Sequence, residues 1–511
     1  MANMRYAYLL FVSAEANHNK FYEMKQVSED NWEANFGRVG ANKPQHATYN
    51  ISQWDSKYRE KIKKGYRDRT DEHIGTGEEK LLSQKVLQVG RHLPIEDKSV
   101  NDVVTKLISV SAQVLKENYT VELNNVTQYM LEGAQKRLNN LYTIYEEFEK
   151  QSKPDEAVFA SLNEIWDKIP AALKRQGIND ERVNSVRIKT AGDVRTAYYI
   201  GCEAADRYKS SLSQTVYKNM INNLQLLHSN SLAYMKKSQH MGESVLIKFN
   251  NELVELFNIL PRKMRNVVDY LAPNTRYMPN IIKREQNLYD TMKGAYDTKK
   301  RQMQLSVEKI KNTNEGITVL EENGLRMRPC TSVEVEEIKK LLGEISGKFS
   351  KAWAVENITT ADKYKKCVKQ LDITSSGVKK LWHGSTTENW WSILTNGLSL
   401  NPNARITGKM FGNGIYFAPK AKKSLGYTSI RGSYWARGGD SVGYMGVFDV
   451  ACGKPWDVHS SNGRFHNFGF KDLRGGCTYV YAHAGQVLRN DEIIVYRDDQ
   501  LTIRYLVELR G

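Results

Sequence analysis

Hydrophobic and polar residues alternate differently in three stretches of the chain, and the first stretch predicts a small sheet. Residues 6–12, 21–27 and 32–39 are strand-length runs of aromatic, aliphatic and small residues, separated by polar turns. Residues 57–64 form a basic helical pattern that Gly65 can terminate. We therefore expect a β-rich domain over about 1–85.

The second stretch, about 95–312, has the spacing of amphipathic helices. Val103, Leu107 and Val110 recur at intervals of three and four, which places them on one helix face. A later apolar stripe from Leu253 to Leu260 is ended by Pro261, and residues 281–311 are typical of a long polar helix. This region is expected to be an all-α domain.

The third stretch, about 313–511, is richer in glycine, and short strand-like runs alternate with turns. Residues 493–496 and 503–509 are expected to be strands of a central sheet. The pattern predicts an α/β or α+β domain, so the whole chain of 511 residues is expected to contain three domains.

Charge and cysteine content narrow the class of protein. The formal net charge is +16 at pH 7, which favours a polyanionic partner such as nucleic acid, although a highly charged, solvated surface would give the same number. The five cysteines are widely spaced and include no CxxC pair, so we expect a reducing compartment, no disulfide framework and no metal site. Neither a secretory signal nor a membrane span is expected.

Two nucleotide-binding motifs are only partly matched. Gly412-Asn413-Gly414 begins like a dinucleotide-binding loop, but Phe417 stands where the third glycine should be. Residues 343–349 resemble a phosphate-binding loop with too short a glycine spacing and with Phe349 in place of the required hydroxyl residue. If the protein uses a nucleotide, it holds it in another way.

Three segments of the last domain combine residue types that suit one chemistry: 381–385 (Leu-Trp-His-Gly-Ser), 407–427 and 490–496. The first offers an imidazole, an exposed backbone and a hydroxyl. The second carries glycines that admit close approach of a ligand and two tyrosines that can stack on a flat ring. The third places a carboxylate at the start of an apolar strand, where it can orient ribose hydroxyls and stabilise a sugar cation. Each residue alone is compatible with a purely structural role.

Together the three segments strongly resemble the catalytic domain of poly(ADP-ribose) polymerases, with its His-Tyr-Glu triad, over about 330–511. The resemblance implies NAD⁺ as the donor, nicotinamide as the leaving group and transfer of ADP-ribose. It also implies the catalytic residues His383, Tyr416 and Glu492 and a donor pocket that includes His383, Gly384, Ser385, Tyr416, Lys423, Ser424 and Tyr427.

The resemblance assigns a role to each of these positions. His383 would hold the adenosine ribose, the Gly384 backbone and the Ser424 hydroxyl would grip the nicotinamide amide, and the two tyrosines would flank the nicotinamide ring. Ser385 would line the pocket, and Lys423 would lie on the acceptor side. Glu492 would bind the nicotinamide ribose and polarise the acceptor hydroxyl. Its presence favours chain elongation.

One position departs from the family pattern. Many relatives carry an arginine after the Gly-Leu pair that follows the His-Gly-Ser segment, whereas Ser399 occupies that position here. The resemblance therefore does not extend, at this position, to the contacts of the adenosine side or of the acceptor.

The N-terminal region resembles a WGR domain, which is named for its Trp-Gly-Arg motif. Phe36, Gly37 and Arg38 occupy the motif, with phenylalanine in place of tryptophan, and Lys64 and Tyr66 follow in a stretch, 57–69, with seven basic and two acidic residues. An aromatic ring can stack on an exposed base or sugar, and arginine can pair with phosphate, so DNA binding is expected. The alternative is that Phe36 is a core residue and the basic helix a solvated face.

The middle region resembles the family's helical regulatory domain at 100–138, 251–261 and 285–296, and 154–243 has no counterpart and is expected to be a helical insertion. The expected domains are therefore WGR-like (1–85), regulatory (95–312) and catalytic (313–511), a multidomain α+β chain.

The resemblance implies a DNA-break-activated transferase that poly-ADP-ribosylates proteins, including itself, in the DNA damage response. It would be intracellular and DNA-associated, in the nucleus of a eukaryote. Alternatives are a mono-ADP-ribosyltransferase that acts on DNA ends or on one protein, a DNA-binding scaffold with weak catalysis, and a helical interaction protein.

Overall fold

The computed structural model describes residues 4–13, 17–39, 43–70, 92–152, 156–309, 317–400, 410–460, 465, 468–485 and 488–511. The chain divides into two compact units, one made of 1–139, 253–271 and 282–511 and the other of 140–252 and 272–281. The expected domain boundaries at 85, 154 and 312–313 lie outside the described residues.

The first unit begins with a five-stranded antiparallel sheet in the order β4-β3-β2-β1-β5. Its elements are β1 (Tyr6–Ser13), β2 (His18–Gln26), β3 (Asn31–Arg38), β4 (Gln45–Asn50), α1 (Trp54–Lys63) and β5 (Arg67–Asp68). The three strands expected from the sequence are confirmed, and Gly65 follows the basic helix with a φ of 89°, a conformation that glycine adopts without strain. Trp32 and Trp54 pack edge to face in the core of this domain.

A helical region of the same unit follows the sheet. The helix α2 (Lys98–Asn118) is capped at its N-terminus by Asp97, whose side chain accepts a hydrogen bond from the Val100 amide. Of the predicted stripe, Val103 and Leu107 are buried in the core of the C-terminal domain together with Val100, whereas Val110 is only partly buried. Three further helices contribute residues to both units: α3 (Gln128–Gln151), α7 (Gln214–Ile259) and α8 (Met278–Lys309).

The second unit is entirely helical among the residues described. It contains α4 (Glu156–Arg175), α5 (Glu181–Ser185), α6 (Ala191–Tyr208) and parts of the three long helices. Its separate hydrophobic core includes Trp166 and Leu227, which are both fully buried. The described part of the expected insertion, 156–243, falls within this unit.

The C-terminal domain of the first unit is built on two sheets, in the strand orders β6-β7-β14-β10-β8 and β11-β12-β13-β9. Its strands are β6 (Leu325–Pro329), β7 (Phe349–Asn357), β8 (Val378–Gly384), β9 (Ile415–Phe417), β10 (Val442–Ala451), β11 (Pro455–Val458), β12 (Tyr479–Ala482), β13 (Glu492–Val495) and β14 (Leu501–Arg510). Its helices are α9 (Val319–Glu322), α10 (Ser332–Leu342), α11 (Ile358–Gln370), α12 (Trp390–Asn396) and α13 (Ala421–Leu425). The expected multidomain α+β class is confirmed.

The two expected C-terminal strands are β13 and β14, and the buried apolar residues Ile493, Ile494, Leu506 and Val507 explain their strand pattern. An isolated bridge between Trp382 and Ala418 joins the end of β8 to the end of β9. This bridge brings the first and second sequence segments together. No helix among the described residues is both long and apolar enough to cross a membrane.

Candidate active site and nucleic-acid interface

The end of β8 places His383 and Gly384 against the backbone of α13. A Cβ atom added to Gly384 would lie 2.0 Å from the Ser424 carbonyl oxygen, so no other residue fits here without displacing backbone. The Ser424 hydroxyl is buried and donates a hydrogen bond to the Trp382 carbonyl at 3.1 Å. Its oxygen keeps lone pairs that can accept a further hydrogen bond, which is the role expected of it toward an amide.

The His383 imidazole is held in one tautomer. Its Nδ1 lies 3.1 Å from the Tyr416 carbonyl oxygen, and because a carbonyl can only accept, Nδ1 carries the proton. Burial lowers the pKa of His383 below its ordinary value, only partly offset by this hydrogen bond. The neutral ring therefore presents Nε2 as an acceptor, suited to a ribose hydroxyl.

Tyr416 is fixed by its own loop. Its hydroxyl accepts a hydrogen bond from the Phe411 amide at 3.0 Å and donates one to the Gly412 carbonyl at 2.9 Å. Burial raises its pKa, and the Glu492 charge adds to that rise. The ring is therefore a rigid, neutral wall of the site.

Tyr427 differs from Tyr416 because its side chain is 41% exposed. One face of its ring is covered by Trp435, with the ring centroids 6.0 Å apart and the planes 19° from parallel. Burial raises the pKa of Tyr427 to about 12, with a further contribution from the Glu492 charge. A neutral, partly exposed ring with one supported face is well suited to stacking on a planar ligand.

Glu492, the first residue of β13, forms an ion pair with Lys423 of α13. Both side chains are nearly buried, at 11% and 12% exposure. The next two residues of β13 pair with β9: Ile493 lies opposite Phe417, and Ile494 lies opposite Tyr416. The carboxylate therefore stands beside the Tyr416 strand.

Ser385 belongs to a hydrogen-bonded loop at the edge of the site. Its hydroxyl accepts from Asn389 at 3.2 Å, and its carbonyl accepts from the Trp390 indole at 3.2 Å. The Asn389 side-chain carbonyl accepts from the Thr291 hydroxyl at 3.0 Å. Helix α8 thus contacts the loop that follows the His-Gly-Ser segment.

The structure brings the expected donor-site residues together. Three contacts connect six of these residues: His383 to the Tyr416 carbonyl, Gly384 against Ser424, and Lys423 with Glu492. The Glu492 charge also helps to raise the pKa of Tyr416 and of Tyr427. The residues expected from the sequence at 407–409 lie outside the described part of the chain.

On the N-terminal sheet, Phe36 packs against the core while keeping part of its ring accessible. Its ring centroid is 5.3 Å from that of Tyr22, and the Lys61 ammonium lies 4.0 Å from the Tyr22 centroid and 5.8 Å from that of Phe36. Both interpretations of Phe36, as a core residue and as a stacking residue, are therefore compatible with its position. A Cβ at the neighbouring Gly37 would make only ordinary contacts.

Lys64 and Tyr66 flank the end of α1. The Lys64 ammonium lies 2.5 Å from a Glu60 carboxylate oxygen, and this hydrogen bond raises the pKa of Lys64. Tyr66 is half-buried with its ring 5.4 Å from that of Phe11. Lys64 is exposed, so its side chain can leave Glu60 for a phosphate at little cost.

Arg38 is engaged within the protein. Its guanidinium donates to the Asn17 carbonyl at 3.0 Å and to the carbonyls of Met264, at 3.4 Å, and Arg265. The Asn17 side chain in turn accepts from the Val267 amide at 3.0 Å. The motif arginine thus connects the N-terminal sheet to the segment that follows α7.

Sequence comparisons identify the two end domains. The profile of the poly(ADP-ribose) polymerase catalytic domain matches residues 332–467, and the profile of the WGR domain matches residues 6–73. A putative poly(ADP-ribose) polymerase-like protein, 100L of invertebrate iridescent virus 6, is 26% identical over 181 residues, which cover 34% of this chain and 93% of the viral protein.

Two vertebrate relatives extend this similarity. Human poly(ADP-ribose) polymerase 2 is 31% identical over 157 residues, 25% of this chain and 26% of the human protein. Poly(ADP-ribose) polymerase 1 of Xenopus laevis is 26% identical over 233 residues, 44% of this chain and 22% of the frog protein.

The chain therefore contains a poly(ADP-ribose) polymerase catalytic domain and a WGR domain. Its catalytic domain is an NAD⁺ ADP-ribosyltransferase domain. The matches to the human and frog polymerases span only about a quarter of those proteins.

The matched spans contain most of the expected site residues of this chain. His383, Tyr416, Ser424 and Tyr427 lie within the catalytic match, whereas Glu492 lies beyond its end. Phe36 to Tyr66 lie within the WGR match. Their individual roles remain predictions.

The sequence interpretation missed Trp435, which supports the Tyr427 ring. The adjacent aromatic pair Tyr434-Trp435 between glycines and arginines was the available signal.

Proposed function

We propose that this protein is a DNA-break-activated NAD⁺ ADP-ribosyltransferase that builds ADP-ribose chains on proteins, including itself. The observation that carries the proposal is the position of Glu492, ion-paired with Lys423 beside the Tyr416 strand and within electrostatic reach of Tyr427. An enzyme that transfers a sugar cation needs a carboxylate at that place.

Donor binding follows from the geometry of the site. The Gly384 backbone and the Ser424 hydroxyl oxygen hold the carboxamide of NAD⁺, and the nicotinamide ring stacks on the exposed part of Tyr427. Nε2 of His383 accepts a hydrogen bond from the adenosine ribose. These contacts orient the donor with its nicotinamide ribose toward Glu492.

Transfer then proceeds at the anomeric carbon of the nicotinamide ribose. The bond from this carbon to the nicotinamide nitrogen breaks, nicotinamide leaves with the electron pair, and the carboxylate of Glu492 stabilises the positive charge on the sugar. An acceptor hydroxyl attacks from the opposite face and gives its proton to Glu492 as the new carbon–oxygen bond forms. When the acceptor is a ribose hydroxyl of ADP-ribose already attached, the chain grows.

Two contacts support regulation by DNA. Arg38 of the WGR domain holds the carbonyls of Met264 and Arg265, and Thr291 of α8 holds Asn389 beside the donor site. A DNA phosphate that binds Arg38 competes with those carbonyls. DNA thereby favours an arrangement in which the helical region no longer restrains the donor loop, and this requires only that DNA bind that arrangement more tightly.

Strand breaks are the partner that fits this proposal, because exposed ends offer unstacked bases and sugars to Phe36. The protein would then work inside the cell on DNA, in the nucleus if its source is a eukaryote. Its role would be in the DNA damage response.

The experiment is incubation of the full chain with radiolabelled NAD⁺, with nicked duplex DNA and without DNA, followed by gel sizing of the products. We expect long labelled chains on the protein only when the nicked duplex is present. Equal labelling in both reactions would contradict activation by DNA. Transfer of only a single unit would show that the protein is a mono-ADP-ribosyltransferase and does not elongate chains.

A further inference from the structure

The loop between Tyr427 and β10 carries two exposed aromatic side chains beside the donor site. Tyr434 is 65% exposed and Trp435 is 47% exposed, and their rings meet edge to face at 4.7 Å. We call this pair the aromatic ledge. Large aromatic side chains exposed next to each other are a mark of binding surfaces, because apolar area left in water has no stabilising role of its own.

The aromatic ledge is continuous with the donor site. Trp435 stacks on Tyr427, whose exposed part is expected to meet nicotinamide. A molecule on the ledge therefore lies next to the bound donor.

The backbone holds the aromatic ledge in one conformation. The amides of Trp435 and Ala436 both donate to the Gly426 carbonyl, at 2.8 and 3.0 Å. At the base of the loop, the Arg431 amide donates to the Asp440 carbonyl at 2.7 Å. The ledge is thus organised before a ligand arrives, which lowers the entropic cost of binding.

Positive charge surrounds the aromatic ledge. The Arg489 guanidinium lies 5.9 Å from the Tyr434 ring centroid, and the Lys283 ammonium donates to the Trp435 carbonyl. Arg431 and Arg437 are in the same loop, and the charge of Arg437 adds to the lowering of the Lys283 pKa that burial causes. In the described part of the chain, none of these four cations forms an ion pair with a carboxylate.

We propose that the aromatic ledge binds an unpaired nucleobase of a single-stranded nucleic acid, whose neighbouring phosphates contact Arg437 and Arg489. Every base has a face that stacks on tyrosine or tryptophan, and unpaired arginines supply the matching charge for the backbone. An acidic peptide would use the charges but would leave the aromatic faces uncovered. The inference rests on the proposed function, since it names a partner of the same active site.

Photocrosslinking tests the place of binding. The full chain, with its WGR domain occupied by unlabelled nicked duplex, is irradiated with a short single-stranded oligonucleotide that carries 5-iododeoxyuridine, and tryptic peptides are mapped by mass spectrometry. We expect adducts on the peptide from Gly432 to Arg437, which contains both ledge residues. Adducts confined to residues 6–73 would overturn the proposal.

Matched variants test the stacking. Tyr434→Ala should weaken binding of the single-stranded oligonucleotide by about fivefold or more, as expected when one stacked base is lost, and Tyr434→Phe should preserve binding. Tyr199→Ala, at another exposed tyrosine, should leave it unchanged. Fluorescence anisotropy at one salt concentration measures each affinity. Equal affinity of the native chain and Tyr434→Ala would contradict stacking on the ledge.

Three further measurements separate the possible causes of failure. An abasic oligonucleotide should bind the native chain and Tyr434→Ala equally, and poly-glutamate that competes as strongly as the normal oligonucleotide would show a general anion site instead. Nicotinamide release from NAD⁺ is followed on the same preparations. If release depends on nicked DNA while Tyr434→Ala binds the oligonucleotide normally, the ledge proposal fails and the proposed function stands. If no preparation releases nicotinamide, the proposed function fails whatever the crosslinks show.

Discussion

At the scale of single residues, the proposed donor site depends on close backbone approach and on one carboxylate. Gly384 has no room for a side chain because the Ser424 carbonyl stands 2.0 Å from the position of a Cβ. Glu492 has a buried counter-ion in Lys423. A substitution at Gly384 alters the shape of the site, whereas a substitution at Glu492 alters its charge. The two effects can therefore be measured separately.

Glu492→Gln should retain the shape of the site and lose the charge that stabilises the sugar cation and accepts the acceptor's proton. We expect chain elongation to fall by about 10²-fold or more, with NAD⁺ affinity nearly unchanged. Glu356→Gln, which neutralises an exposed carboxylate on β7, is the matched control and should elongate normally. Product sizing with labelled NAD⁺ checks both variants, and long polymers from Glu492→Gln would remove this residue from its assigned role.

Gly384→Ala should destabilise the catalytic domain by about 1–3 kcal/mol and abolish donor binding, because backbone must move to admit the methyl group. Gly347→Ala serves as the control, since a Cβ there meets nothing within 4 Å. Denaturant unfolding and NAD⁺ titration measure the two effects. Identical behaviour of the two alanine variants would refute the close-approach argument.

His383 gives the site a defined pH dependence. Its pKa is lowered in the folded protein, so between that pKa and the ordinary value of about 6.5 the unfolded chain binds more protons. Stability contributed by the neutral imidazole is therefore present above about pH 6.5 and is lost as the pH falls toward the folded pKa. The difference in unfolding free energy between the native chain and His383→Gln should shrink as the pH falls from about 7.5 to about 5.5. A constant difference over this range would contradict the argument.

At the scale of elements, the helical region is held by a buried ion pair. Arg262, just after α7, and Glu285 of α8 pair with each other at 2% exposure each. The Arg262 guanidinium also donates to Asn118 at the end of α2, and its carbonyl accepts from Asn19 of β2. One arginine thus connects three helical segments with the WGR sheet.

Glu285→Gln should destabilise the first unit by about 3 kcal/mol or more, because it leaves the Arg262 charge buried with only neutral partners. Arg326→Gln, which breaks an exposed pair with Glu356, should cost less than about 1 kcal/mol. Chemical denaturation of both variants measures the contrast. Comparable losses of unfolding free energy in the two variants would mean that burial does not determine how much each ion pair contributes to stability.

The sequence predicted many elements because their patterns are local. Strands β1 to β3, β13 and β14 and the basic helix α1 follow from residue spacing and turn residues. Strands β4 and β5 were not predicted, since Gln45–Asn50 is mostly exposed and polar and Arg67–Asp68 is too short to show a period. The single long helix α7 was expected as separate helical runs because its polar middle lacks an apolar stripe.

The residues of the candidate site were predicted from three separated segments of the sequence. The contacts among those segments could not be predicted. Nothing local indicates that Lys423 pairs with Glu492, that Arg38 holds the carbonyls after α7, or that Trp435 covers Tyr427. These contacts depend on how distant segments pack, which spacing along the chain does not encode.

At the scale of the whole molecule, Arg38 is expected to serve both DNA and the helical region. Arg38→Ala should weaken binding of nicked duplex and also raise nicotinamide release without DNA, because it frees the segment that follows α7. Arg59→Ala, on the exposed face of α1, should weaken DNA binding without that rise. If the Arg38→Ala chain released no more nicotinamide than the native chain in the absence of DNA, Arg38 would have no part in the regulation by DNA.

The measurement that tests the central claim most directly is calorimetric titration of the full chain, saturated with nicked duplex, with a nicotinamide mimic such as benzamide. The account predicts one site for each chain, competition by NAD⁺ and loss of binding in Gly384→Ala. An absence of binding to the DNA-saturated native chain, or equal binding in Gly384→Ala, would contradict it.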